Sequence, residues 1–109
     1  MTTFEDREKS FERKFAHDEE MRFKAAMRRN TLIGLWAAGE MGLSGEEAES
    51  YAKEVVKADF QEVGDQDVVR KIADDFAARK IDISRHRIER KMQECLDVAR
   101  RQLMEEAGR

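Results

Sequence analysis

Residues 44–64, SGEEAESYAKEVVKADFQEVG, decide the fold class. Ala48, Tyr51, Ala52, Val55, Val56, Phe60 and Val63 recur three and four apart, which gathers apolar side chains on one face of an α-helix. Ser44 followed three residues later by Glu47 has the form of a capping box. In that arrangement the hydroxyl accepts from the Glu47 amide while the carboxylate reaches back to the start of the helix. Gly64 is the expected stop.

The same pattern extends in both directions. Downstream, Asp65 is a good N-cap and Asp67 falls in a first turn, where the helix dipole favours an anion. Val68, Val69, Ile72, Ala73, Phe76 and Ala77 form the stripe, and Arg79 with Lys80 suit the negative end. Ile81-Asp82-Ile83 then connects to Ser84, the expected cap of a last helix. Its stripe is Ile88, Met92, Cys95, Leu96, Ala99 and Leu103, and fraying is expected near Gly108. Upstream, Phe23 and Met27 lie four apart and lead into TLIGLWAAGEM, residues 31–41, which Gly42 should terminate. Short connections favour antiparallel neighbours. The expectation is an all-α, four-helix bundle-like body over residues 20–109, with Leu32, Ile33, Leu35 and Trp36 as the first helix's share of the core.

Composition agrees with this and removes several classes of function. At 109 residues the chain supports a single domain with one modest core. No proline, 41% charged residues and 7% aromatic residues describe a heavily solvated helical protein rather than a sheet protein. A net charge of −3, with Lys and Arg spread evenly, argues against a nucleic-acid binder, which would carry a basic face. Every apolar run is far shorter than a membrane span, so direct membrane insertion is not expected. Charge begins at Glu5, which leaves no apolar secretory core and predicts a cytoplasmic chain. The single cysteine, Cys95, lies in the last stripe and reads as a small core residue in a reducing compartment.

The first thirty residues, MTTFEDREKSFERKFAHDEEMRFKAAMRRN, differ from the rest. They are dense in charge of both signs, and Phe4, Phe11 and Phe15 stand alone among those charges. Ordering about 20 residues costs on the order of 1–2 kcal/mol each in backbone entropy. Three buried phenylalanines return roughly 1.5–3 kcal/mol each. Residues 1–19 therefore read as a flexible, helix-capable arm that is disordered when free. In a groove they could form a helix, with Phe4 and Phe11 seven apart and Phe11 and Phe15 four apart. The plainer reading is a solvated tail.

Little in the chain points to chemistry. His17 and His86 lie in different segments, neither with a partner at metal-ligand spacing, so no metal site is expected. His86 reads as an exposed polar residue, and His17, beside Asp18, Glu19 and Glu20, as a conceivable proton sensor at the root of the arm. The carboxylates alternate with Lys and Arg as on solvated helix faces, and no residue set supplies nucleophile, base and stabiliser together, so no catalytic residue is assigned. Gly39, Gly42 and Gly45 match neither the dinucleotide fingerprint nor a P-loop, and helix termination explains them. A weak anion or nucleotide contact remains open at Gly42, Ser44 and Gly45, where backbone N–H groups are free. Arg85 and Arg87 at the start of the last helix could assist it.

With arm and body in view, three strings carry a resemblance to a known family. Phe4–Glu20 reads FEDREKSFERKFAHDEE, Leu32–Ala38 reads LIGLWAA, and Tyr51–Phe60 reads YAKEVVKADF. In this combination the chain closely resembles, over nearly its whole length, the zeta subunit of the alphaproteobacterial F-type ATP synthase. The resemblance implies an inhibitor of ATP hydrolysis whose N-terminal arm enters an interface between an alpha and a beta subunit of the catalytic head and folds there as a helix, while the four-helix body stays outside. It implies alpha and beta subunits as partners, with gamma as a further candidate, and a cytoplasmic location at the inner face of the plasma membrane. It implies no required cofactor, with weak ATP or ADP binding in some members. On that basis Phe4, Phe11 and Phe15 are the expected apolar anchors, and Arg7, Arg13 and Lys14 the expected charge contacts. Two other readings stay open: a small nucleotide-sensing regulatory protein, and an adaptor that binds through its body.

Overall fold

A computed structural model of the chain describes residues 18–59 and 66–108. They form four α-helices: α1 (Glu19–Glu40), α2 (Gly45–Ala58), α3 (Gln66–Ala78) and α4 (Arg85–Ala107). This is the all-α, four-helix body that the stripes predict. The arm expected over residues 1–19 lies outside the described residues, except for Asp18 and Glu19, which are the cap and first residue of α1.

The organising element is α1, which packs against α2 on one side and α4 on the other while α3 closes over α2 and α4. The backbones of α1 and α2 touch at Gly34. A Cβ built there would lie 2.7 Å from the Ala52 Cα, so only glycine fits. Asn30, Ala37 and Ala38, at helical spacing from Gly34, are buried on the same side. Trp36 looks the other way, with its ring edge-on to Phe76 at 5.8 Å and Lys91 of α4 over its face at 5.7 Å. Ile33, Val55, Val68, Val69, Ile72, Phe76 and Ile88 complete the interior.

Two-sided packing corrects the expected core of α1. Leu35 is 40% exposed, and Leu32 and Trp36 are only half-buried. Ile33 is fully buried as expected, Leu32 and Trp36 pack against the core from its edge, and the remaining interior places go to the small residues Gly34, Ala37 and Ala38. Helices that approach this closely have no room for leucine on the facing side, so Leu35 falls in the outward gap between the two faces. Phe23 and Met27 share a face as read, yet they are 52% and 37% exposed.

The helix ends show both agreement and correction. Gly42 terminates α1 in a left-handed conformation (φ +80°). Leu43 N–H donates to the Ala38 carbonyl and Gly42 N–H to that of Gly39, the paired bonds of a Schellman end. The same bonds close α3, from Ile81 to Phe76 and from Lys80 to Ala77, with Lys80 at φ +58° in the place usually given to glycine. Ser84 caps α4 as expected, its Oγ accepting from Arg87 N–H at 3.2 Å. Ser44 is the N-cap residue of α2, but its side chain makes no capping bond, so the expected capping box does not form. Gly45 enters the helix at φ +57°, which turns the chain away from the geometry that aims the hydroxyl at Glu47 N–H. Helix α2 ends at Ala58, short of the expected Gly64, and Phe60, Val63, Gly64 and the expected cap Asp65 lie outside the described residues.

The Gly34 contact yields a direct test. Alanine ordinarily favours a helix interior by up to about 1 kcal/mol over glycine. Here its methyl would meet backbone, and overpacking of this kind costs about 1–3 kcal/mol. Gly34→Ala should therefore lower the thermal midpoint, and a raised midpoint would mean that the two helices can separate without loss.

Candidate functional site

Three polar arrangements stand out among the described residues. The first is the root of α1. Asp18 is extended (φ −107°), and its Oδ1 accepts from Glu20 N–H at 3.0 Å and Met21 N–H at 3.3 Å. Glu19 and Glu20 add negative charge to the positive end of the helix. Ten residues on, Arg28 ties α1 to the far end of α4. Its guanidinium grips both carboxylate oxygens of Glu106, Nη2 donating to Oε1 at 2.9 Å and Nη1 to Oε2, and Nη1 also donates to Gln102 Oε1 at 3.5 Å. Hydrogen bonding to Glu106 pushes the Arg28 pKa further up.

The second is a bridge between α2 and α3. Tyr51 hydroxyl donates to Asp75 Oδ2 at 2.7 Å. Lys71 Nζ lies 3.1 Å from that same oxygen, 3.5 Å from Glu54 Oε2, and over the Tyr51 ring at 5.1 Å from its centroid. Burial, followed by the bond to Asp75, raises the Tyr51 pKa well above its ordinary value. The third is a nearly buried cation at the end of α2. Arg29 donates from Nε and Nη2 to Oδ1 of the buried Asn30, at 3.1 and 3.0 Å, and its Nη2 stands 3.9 Å from Asp59 Oδ2. Cys95 is buried, and desolvation raises its pKa despite the nearby Lys91 and Arg29, so its sulfur is held as the thiol.

The residues singled out from the sequence are distributed as follows. Phe4, Arg7, Phe11, Arg13, Lys14 and Phe15, and His17 with them, lie outside the described residues. Gly42, Ser44 and Gly45 are exposed between α1 and α2. The shallow groove beside them is lined by Leu43, Glu46, Glu47, Ser50, Tyr51, Glu54 and Arg79. Arg85 donates to Gln66 Oε1 at 2.8 Å and pairs with Glu89 at 3.4 Å, whereas Arg87 lines a different groove with Trp36, Arg90, Lys91 and Glu94. His86 is exposed. No grouping of His, Cys, Asp or Glu among the described residues could hold a metal ion, and no described helix is long and apolar enough to cross a membrane.

Sequence reading assigned Asp18 to the arm, although an aspartate followed by two glutamates ahead of a helical run is an N-cap signal. The Arg28 clamp and the Tyr51–Asp75 bridge left no such local signal, because they join residues 78 and 24 positions apart.

The fold and these arrangements define a small helical-bundle scaffold whose described polar side chains hold helices to one another. Comparison with known proteins gives that scaffold a family. The family model described as ATPase inhibitor subunit zeta matches residues 1–102, and the chain belongs to that family. A protein whose solution NMR structure has been determined is similar at 46% identity and a TM-score of 0.70, over 79% of this chain and 98% of that one. No curated protein matches.

The Tyr51 bridge is testable because the chain has no other tyrosine. Its raised folded-state pKa means that the stability tied to the neutral phenol is complete below about pH 10, the unfolded value, and is lost as pH climbs above it. Phenolate absorbance should appear only as the helices unfold, and Tyr51→Phe should flatten the alkaline decline in stability. Phenolate forming near pH 10 with helical content intact would contradict the bridge.

Proposed function

We propose that this ATPase inhibitor subunit acts by inserting its N-terminal arm, residues 1–17, as a helix into a catalytic interface between alpha and beta subunits of the F-type ATP synthase, with the four-helix body, which begins at the Asp18 cap, outside. The observation that carries the reading is the extent of the family match. It begins at residue 1, so the charged N-terminal stretch belongs to the family's pattern together with the body. Among the described residues, the buried apolar side chains fall between Ala25 and Ala99.

The mechanism follows from the physics of the two parts. A rotary ATPase must close a catalytic interface to hydrolyse ATP, and a helix wedged there opposes closure. Phe4, Phe11 and Phe15 would lie along one side of that helix as apolar anchors, and Arg7, Arg13 and Lys14 would meet acidic groups at the rim. Body contacts with alpha, beta or gamma would raise the arm's effective concentration, so the arm need not supply all the binding free energy. The assembly would then place this chain in the cytoplasm, at the inner face of the plasma membrane.

The nucleotide-sensing alternative has less physical support. The groove beside Ser44 carries Glu46, Glu47 and Glu54 against Arg79 alone, which is unfavourable for a polyphosphate, while Arg85 is engaged by Gln66 and Glu89. Weak ATP or ADP binding at Gly42, Ser44 and Gly45 stays secondary in this proposal.

The test is ATP hydrolysis by the purified catalytic head of the cognate synthase, with the full chain and with a chain lacking residues 1–17, which keeps the Asp18 cap of α1. Inhibition by the full chain only is the expected result. Equal inhibition by both would move the activity to the body and overturn the arm mechanism.

A further inference from the structure

The N-terminal half of α1 extends past the end of its partner α2. Gly34 stands against Ala52, and Arg29 reaches Asp59 just after the last residue of α2. Residues 19–27 therefore lie beyond α2. The described element beside them is the C-terminal part of α4, which Arg28 locates by reaching Gln102 and Glu106. These two segments make a stem that leads from the core to Asp18, where residues 1–17 join. Apolar cover along the stem comes from Ala25, which is buried, and from Met21, Ala26, Leu103 and Met104, which are half-buried, while Phe23 and Met27 are 52% and 37% exposed. The Arg28 fork is a polar tie between the two segments of the stem with a defined geometry, because it is bidentate to a carboxylate and shared with an amide oxygen.

We propose that Arg28 is a positioning residue for inhibition: its grip on Glu106 and Gln102 keeps the stem helical and fixes the direction and length of the link between arm and body. The proposal rests on the arm mechanism above. If the stem frays, residues 19–27 become flexible chain, with an r.m.s. span of about 5–6 Å times the square root of their number. The arm then samples a larger volume, its effective concentration at the interface falls, and the freed residues must be ordered again on insertion.

The experiment uses the full chain as wild type, Arg28→Glu, Glu106→Arg and the double swap, in ATP hydrolysis by the cognate catalytic head, with amide exchange read over residues 19–27. Each single variant should inhibit roughly threefold to tenfold more weakly and lose protection in the stem. The double swap, which restores an ion pair of opposite sense, should return both readouts to within about twofold of wild type. Single variants that inhibit as wild type does would overturn the positioning role and leave the arm mechanism standing. A swap that regains protection but not inhibition would show Arg28 or Glu106 touching the synthase directly, which also overturns it. A wild-type chain that does not inhibit would remove the arm mechanism and this proposal together.

Discussion

The close backbone approach of α1 to α2 at Gly34 and Ala52 sets most of the remaining geometry. Helices that touch at the backbone can place only small side chains between them, and α1 supplies Gly34, Ala37 and Ala38 there. Its bulky residues are displaced to the other faces, where Trp36 meets Phe76 and Lys91. Because α2 is 14 residues long and α1 is 22, the contact also leaves an overhang at the N-terminal end of α1. The overhang connects the compact part of the molecule to the segment the family match includes from residue 1.

Helix positions were legible in the sequence because each depends on local rules. Gly42 and Ser84 perform the terminal roles that their residue types suit, and most of each stripe in α3 and α4 buries as read, with Val68, Val69, Ile72 and Phe76 in one and Ile88, Met92, Cys95 and Ala99 in the other, whereas Ala77 is exposed and Ala73, Leu96 and Leu103 are half-buried. These helices each have one buried face, which periodicity detects. Helix α1 is packed on two sides, so a reading that looks for the bulkiest apolar cluster picks Leu35, which is exposed, and passes over Gly34 and Asn30, which are buried. The capping box failed for a backbone reason, the left-handed Gly45, which side-chain spacing does not encode.

The proposed site, by contrast, was suggested only by the family pattern. The candidate anchors Phe4, Phe11 and Phe15 are placed by sequence alone, since they lie outside the described residues. Within the body, the side-chain ties between helices are long-range: Arg28 to Glu106, Arg29 to Asp59 and Tyr51 to Asp75. Each residue looks from the sequence like one more charge or ring on a solvated helix, and only the tertiary fold distinguishes it. Arg29 and Asn30 illustrate the point, since a nearly buried guanidinium donates from two of its nitrogens to the side-chain oxygen of a buried asparagine.

The most direct test of the central claim is a map of the complex between this chain and the catalytic head of its cognate ATP synthase. The account predicts density for residues 1–17 as a helix within an alpha/beta interface, joined through the Asp18 end of α1 to a four-helix body outside the cleft that retains the Gly34–Ala52 contact. Density for α2, α3 or α4 inside the interface, with residues 1–17 directed away from the head, would contradict it.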